Sequence, residues 1–142
     1  MLNPLQEAYV SAARVARLAT VDKEARPHAV PVCYVYDEER FYTAIDRKPK
    51  VARSSDLTRI KNLVANPAVT LLIDHYSDDW TQLSYVQVRG IAVLVTSSSE
   101  RSQAVSALRA KYSQYDTLLE DEATVVRIEP RRVVSWSSTG DL

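Results

Sequence analysis

Glycine occurs twice and cysteine once in these 142 residues, and each shortage excludes a class of chemistry. With so little glycine there is no G-x-G-x-x-G fingerprint and no P-loop, so a phosphate would have to be held by Lys and Arg side chains. The lone thiol, Cys33, permits neither a disulfide framework nor a cysteine-rich zinc site, which fits a reduced intracellular setting. It sits between Val32 and Tyr34 in an apolar run and reads as core. An excess of one charge is also missing, since 18 Lys and Arg balance 18 Asp and Glu. No global field is present to hold nucleic acid or an acidic membrane, and an anion site must arise from local clustering. No apolar run reaches membrane-spanning length, and Glu7 and Arg14 interrupt the N-terminal stretch where a signal peptide needs its apolar segment. The expectation is a cytoplasmic protein.

What is present is a 46% hydrophobic chain of a size suited to one compact domain, residues 1–142. Residues 4–13 pattern as a short amphipathic helix with Pro4 in its first turn. Strand patterns follow in "RVARLATVD", "HAVPVCYVYD" and "FYTAID", joined by short turns, which reads as an up-and-down meander. From Ser54 to Asn66 the period becomes helical, with Leu57, Ile60, Leu63 and Val64 on one stripe, and Asn66-Pro67 ends it. "AVTLLIDHY" is a buried strand and "SDDW" a turn. "TQLSYVQVRGIAVLVT" is a long alternating strand in which Gly90 marks a bulge or bend. Ser97 and Glu100 have capping-box spacing before a third helix. "ATVVRIEPRRVVSW" closes the set as a strand broken or bulged at Pro130. Six mostly antiparallel strands with short early hairpins predict a mainly β (α+β) fold, a closed or nearly closed six-stranded β-barrel with a few flanking helices.

Acid–base and nucleophilic machinery is sparse. His28 and His75 have no second metal ligand at close spacing and read as ordinary hydrogen-bonded strand histidines, so no metal site is expected. The serines cluster in turns and helix starts, where capping accounts for them, and no Ser-His-Asp or Cys-His set emerges. Asp78-Asp79 read as solvated turn acids. No catalytic residue is nominated, and a reaction would need a borrowed reactive group.

The basic residues are more informative. "YTAIDRKPK" runs from strand into a cationic loop. Lys48, Lys50, Arg53, Arg59 and Lys61 then fall within one strand–loop–helix corner, the last two away from the Leu57, Ile60, Leu63 stripe. Helix N-terminal amides add to the same positive potential, so an anion is favoured there. A mixture of bidentate Arg and point-like Lys suits a phosphate with further carboxylates better than one small ion. Trp80, in its polar turn, has two readings: an indole laid against a flat ring, or structural packing.

A strand followed by "RIKNLVANPAV" and a buried strand resembles the signature of the pyridoxamine-phosphate-oxidase-like split β-barrel superfamily of flavin and deazaflavin proteins. "RVARLATVDKEARPHAVPV" is similar to its first hairpin. "AIDRKPK" and "DHYSDDW" resemble the branch of probable users of coenzyme F420, a deazaflavin with a phosphodiester and a polyglutamate tail. The resemblance implies an FMN-binding-type split barrel and a homodimer with two cofactor clefts at its interface. It also implies a hydride passed from reduced deazaflavin to a small unsaturated or oxidised organic substrate. In that pattern Arg59 touches the cofactor phosphate with Lys61 as its basic neighbour, and the expectation for this chain is that Lys48, Lys50, Arg59 and Lys61 together hold phosphate and tail. The backbone around Thr43 and Ala44 lines the ring, and Trp80 closes over it from its own chain or the partner's. Flavin mononucleotide (FMN) in the same groove is the alternative cofactor. A non-enzymatic carrier of a flavin or haem-type ligand is the alternative class.

Overall fold

The computed structural model describes the backbone of residues 1–47 and 54–142 and the side chains of 1–47 and 58–142. In chain order the elements are α1 (Pro4–Ala12), β1 (Ala16–Val21), β2 (Pro27–Val32), β3 (Val35–Asp37), β4 (Arg40–Ala44), α2 (Ser54–Ala65) and β5 (Ala68–His75). A 3-10 turn (Trp80–Gln82) leads into β6 (Ser84–Leu94), α3 (Ser98–Lys111), α4 (Tyr115–Leu118) and β7 (Val125–Ser137). The strands form one antiparallel sheet of seven, ordered β2-β1-β5-β6-β7-β4-β3.

Seven strands replace the expected six because "HAVPVCYVYD" is two strands, not one. β2 pairs with β1 and β3 pairs with β4, so these sequence neighbours form opposite ends of the sheet and the expected meander through them does not occur. Only Cys33 and Tyr34 join them, a link that spans at most about 10 Å. The sheet therefore curls until its first and last strands adjoin, which is the geometric origin of the barrel. Pro27 and Pro31 share one parity on β2, so their missing N–H groups fall along a single edge, the one turned away from β1.

The link is held by side chains from elsewhere. Thr43 Oγ1 donates to the Cys33 carbonyl at 2.8 Å. The Tyr34 N–H donates to the Tyr112 hydroxyl at 3.1 Å, and that hydroxyl shares its own proton between the carbonyls of Tyr34 and Arg14, each at 3.0 Å. The fully buried Tyr34 phenol donates to the Val10 carbonyl of α1. Buried backbone groups that have no ladder partner are thereby satisfied.

Two cores result. The barrel interior holds Leu18, Tyr34, Phe41, Leu71, Ile73, Val86, Val88, Val126 and Ile128, and each mouth is plugged by a helix. At one mouth α1, capped by a reciprocal Asn3–Gln6 box (2.8 and 3.0 Å), inserts Val10, while its Gln6 reaches Ser135 and its Tyr9 reaches Ser84. At the other, α2 inserts Leu63, and Asn62 Nδ2 donates to Thr20 Oγ1 at 3.1 Å. The second core lies outside the barrel, where α3 and α4 cover Tyr42, Ala44 and Val125. Ser97 caps α3, but Glu100 does not return the bond as a capping box requires; its carboxylate takes the Arg127 guanidinium of β7 at 2.9 Å. Among the described residues no helix is long and apolar enough to cross a membrane.

One charge sits awkwardly beside the seam. The Lys111 ammonium lies 4.0 Å from the Tyr34 ring centre and 5.4 Å from that of Tyr112, with no hydrogen-bond acceptor. Burial, and next the Arg14 guanidinium, lower its pKa from the ordinary 10.5 to about 8. The folded chain thus binds this proton more weakly than the unfolded chain, and stability rises with pH between about 8 and 10.5. Discounted for the partly exposed side chain and for the ring contacts it loses, Lys111→Met is expected to stabilise by about 1 kcal/mol at pH 7. The advantage should vanish by about pH 10.5 in paired thermal melts of the two proteins; a pH-independent difference would place its origin in packing.

Candidate functional site

The corner expected to hold an anion is built on α2 and on the exit from β4. The exit is fixed by the 118–124 segment: Ile45 N–H bonds the Thr124 carbonyl (3.0 Å) and Arg47 N–H bonds that of Leu118 (2.8 Å). The Arg47 guanidinium pairs with Glu120 at 3.0 Å. The Tyr115 hydroxyl donates to Asp46 Oδ2 at 2.6 Å, and burial, with that carboxylate beside it, pushes the phenol pKa up. The chain up to Arg47 is therefore an anchored platform. Lys48 and Lys50, with Arg53, lie outside the described residues.

Arg59 and Lys61 lie on opposite sides of α2. Lys61 is exposed, whereas Arg59 is only 6% exposed and shares the inner face with Asn62 and Leu63. The expected apolar stripe is correspondingly rotated, and Val64 is 66% exposed. The reason is the rim that α2 meets. Thr20, which accepts from Asn62, stands opposite His28 on the interior face of β1 and β2. A polar rim draws the polar side of the helix inward. His28 departs from its expected reading, because its buried Nδ1 has no hydrogen-bond partner.

Thr43 and Ala44 are 3% and 5% exposed. Thr43 is spent on the seam and Ala44 on the packing beneath α3. Their side chains therefore do not face an open groove. Trp80 is 70% exposed, on a 3-10 turn capped by Asp79 and tied down by Ser138 Oγ, which donates to its carbonyl at 2.7 Å. That turn follows His75, at the mouth plugged by α1, whereas Asn62 and Thr20 lie level with Val69 at the α2 mouth. Six strand residues separate the two levels, roughly 20 Å. Within one chain the structure does not bring Trp80 to Arg59 and Lys61.

The structure also assembles a cationic pair that the sequence reading missed. Arg89 of β6 and Arg132 of β7 are direct cross-strand partners on the outer face, one step from the bulge at Arg89/Gly90. Both are exposed, and among the described residues neither has an ion-pair partner. Like charges directly opposite destabilise a sheet, so an anion placed between them is favoured. The signal was present in "VQVRG" and "PRRVV", but only the register brings the two together. Below them the same face carries Leu72, Gln87 and Val134, then Tyr85 stacked on Trp136 with centroids 6.2 Å apart. Arg17 pairs with Asp74 at its edge, 2.6 Å. Among the described residues no helix packs on this face, and none of them form a metal-holding group of His, Cys, Asp or Glu.

The sequence model of the family described as pyridoxamine 5'-phosphate oxidase matches residues 2–137. The chain belongs to that family. A curated relative, the 5a,11a-dehydrotetracycline/5a,11a-dehydrooxytetracycline reductase of Streptomyces rimosus, is 32% identical over 136 residues, 94% of this chain and 82% of the relative. Among solved structures, the conserved hypothetical protein Rv2991 of Mycobacterium tuberculosis superposes with a TM-score of 0.77 at 20% identity, covering 97% of this chain and 86% of that one. The haem storage protein HutZ of Vibrio cholerae superposes with 0.70 at 19%, covering 96% and 94%. A protein described as an F420 reductase does so with 0.62 at 18%, covering 90% and 94%. At such identities these structures establish the shared split-barrel fold.

Proposed function

We propose that the chain is an oxidoreductase that holds an anionic deazaflavin, coenzyme F420, and reduces a small unsaturated or oxidised organic substrate, with FMN as the second reading for the cofactor. The observation that carries this is the uncompensated pair Arg89–Arg132 at the same end of the barrel as Arg59 and Lys61. The two exposed guanidiniums fit a ligand bearing anionic oxygens. The relative that reduces dehydrotetracyclines supports a redox role. When bound and reduced, such a cofactor supplies a hydride, and a proton from water completes the two-electron reduction of the substrate. The residues of this chain bind, orient and keep the ring dry.

The functional unit we propose is a homodimer formed across the uncovered face of β1, β5, β6 and the C-terminal half of β7, where Leu72, Tyr85, Val134 and Trp136 offer apolar area. We place the two-fold axis in the plane of that face and across the strands, which sets the α2 end of one copy against the α1 end of the other. That bridges the roughly 20 Å between Arg59 and Trp80 with Trp80 of a second copy.

Titrating the protein with coenzyme F420 and with FMN tests the reading. Tighter binding of the deazaflavin is expected, and Arg89→Glu/Arg132→Glu should weaken it more than tenfold, about 1.4 kcal/mol. Light scattering on the same samples reports whether the dimer survives. Tighter FMN binding selects the second reading. A cofactor that binds but is never reoxidised by a panel of acceptors, dehydrotetracyclines included, points to a non-catalytic carrier. Binding of neither defeats the proposal.

A further inference from the structure

A cleft of about 420 Å³ opens at the α1 mouth, between the end of α1 and the base of the β5–β6 hairpin. Ala12, Ala13 and Val15 give it an apolar wall, Tyr9, His75 and Ser84 give it a polar one, and Arg14 and Asp74 complete the lining, each already engaged by protein, Arg14 with the Lys111 carbonyl and Asp74 with Arg17. The volume is within the range of small-molecule sites, roughly 300–1,000 Å³. Exposed aromatic side chains flank it in sequence: Tyr76 beside His75 and Trp80 within the hairpin are 66% and 70% exposed.

The hydroxyls of Tyr9 and Ser84 lie 3.0 Å apart, and either can be the donor. Two O–H protons are present and their mutual bond uses one. Neither hydroxyl has another partner, so whichever way the bond runs, one proton is left without a protein acceptor. Burial, the largest influence, raises the Tyr9 pKa, so the phenol keeps its proton over the physiological range.

We infer that this cleft is the substrate subsite and that it selects a flat, largely apolar molecule by one carbonyl oxygen, which accepts the spare Tyr9–Ser84 proton while the ring rests on Ala12, Ala13 and Val15. The inference deepens the oxidoreductase reading and rests on it for the word substrate. In a conjugated carbonyl compound, hydride addition to the far carbon of the C=C drives its electron pair onto that oxygen, where a hydrogen bond stabilises the charge until water supplies the proton. The class named is thus a cyclic conjugated ketone.

The proton count makes an unusual prediction about variants. Tyr9→Phe leaves the Ser84 proton free, and Ser84→Ala leaves that of Tyr9, so each single change should cost less than about threefold in affinity, whereas the double change removes every donor and should cost tenfold or more. The probes are 1-indanone, a flat ketone with no reducible C=C, and indane, its shape without the oxygen, titrated into isotope-labelled protein and followed by amide NMR shifts. Shifts confined to Ala12, Ala13, Val15 and Ser84, a clear preference for the ketone, and loss of that preference only in the double variant are the expected result. Equal binding of indane, an unchanged double variant, or shifts elsewhere would overturn it. The same double variant, loaded with cofactor, should show a raised KM at unchanged cofactor affinity. A chain that prefers 1-indanone as described yet binds neither the deazaflavin nor FMN sinks the redox reading and leaves the carbonyl site standing.

Discussion

Replacing Gly90 with alanine is expected to cost about 3 kcal/mol of stability, the upper part of the usual range for forcing atoms into packed space. A Cβ at this position would lie 2.5 Å from the Glu129 carbonyl oxygen, 3.0 Å from Ile128 Cγ2 and 3.2 Å from the Glu129 carbonyl carbon. Two of these are backbone atoms of β7, held in the ladder and unable to swing aside. Space, not backbone conformation, is what demands glycine here. Gly140 supplies the opposite control, since its φ of +76° is the left-handed region but nothing lies within 4 Å of an added Cβ. Gly140→Ala should therefore cost about 1 kcal/mol through strain alone. Urea unfolding of both variants measures the contrast, and a Gly90→Ala loss under 0.5 kcal/mol would mean that β6 and β7 part more readily than their register implies.

The same contact matters for the site. Gly90 faces Pro130, while Arg89 faces Arg132, so Arg131 is the extra residue of a bulge on β7. Side chains of a strand alternate, and one extra residue exchanges its faces. Before the bulge Val126 and Ile128 point inward; after it Val133 joins the interior and Val134 and Trp136 turn outward. Without the bulge Arg131 would stand opposite Arg89, and Arg132 would point toward the core. Close approach at Gly90, where Pro130 offers no N–H to the ladder, and the outer-face arginine pair are consequences of one irregularity.

How much of this was legible follows from what a linear pattern can encode. Alternation located nearly every strand, and Gly90 and Pro130 announced the irregular point, because those residue types have few other reasons to occupy long strands. The division of "HAVPVCYVYD" did not show, since an apolar run looks alike whether it stays in one pairing or passes from the first strand of a sheet to the last. The inner face of α2 was misjudged because the apolar stripe assumes an apolar surface beneath, whereas Thr20 and His28 present a polar rim. Arg89 and Arg132 were visible singly, but their pairing depends on register, and register depends on counting one bulge residue. The basic corner was read as one cluster by sequence nearness, yet Arg59 and Lys61, two residues apart on a helix, face away from one another.

Tyr112→Phe is the sharper test of how the barrel closes, and a loss of about 2–3 kcal/mol is expected although only one oxygen is removed. The substitution keeps the ring and its place in the outer core, so little cavity is made. What it removes is the acceptor of the Tyr34 N–H and the donor to the Tyr34 and Arg14 carbonyls. Those groups belong to the link on which the sheet closes, where no neighbouring strand can replace the bond, and a buried amide left without a partner carries its desolvation cost in full. Tyr76→Phe is the matching control, because that hydroxyl serves only an exposed bond to Asp78, and it should change stability by less than about 0.5 kcal/mol. Hydrogen exchange locates the effect: the Tyr34 amide should exchange far faster in Tyr112→Phe than a β6 amide such as Val88, whereas equal acceleration at both would mean global loosening, not an opened seam. The seam also bears on the site, since Thr43 grips the same link from β4, and β4 leads directly to the anchored platform at Arg47. A seam that opens should therefore loosen the chain at Arg47, and anionic cofactor affinity should fall in Tyr112→Phe even though Tyr112 itself caps the end of α3 and packs in the second core.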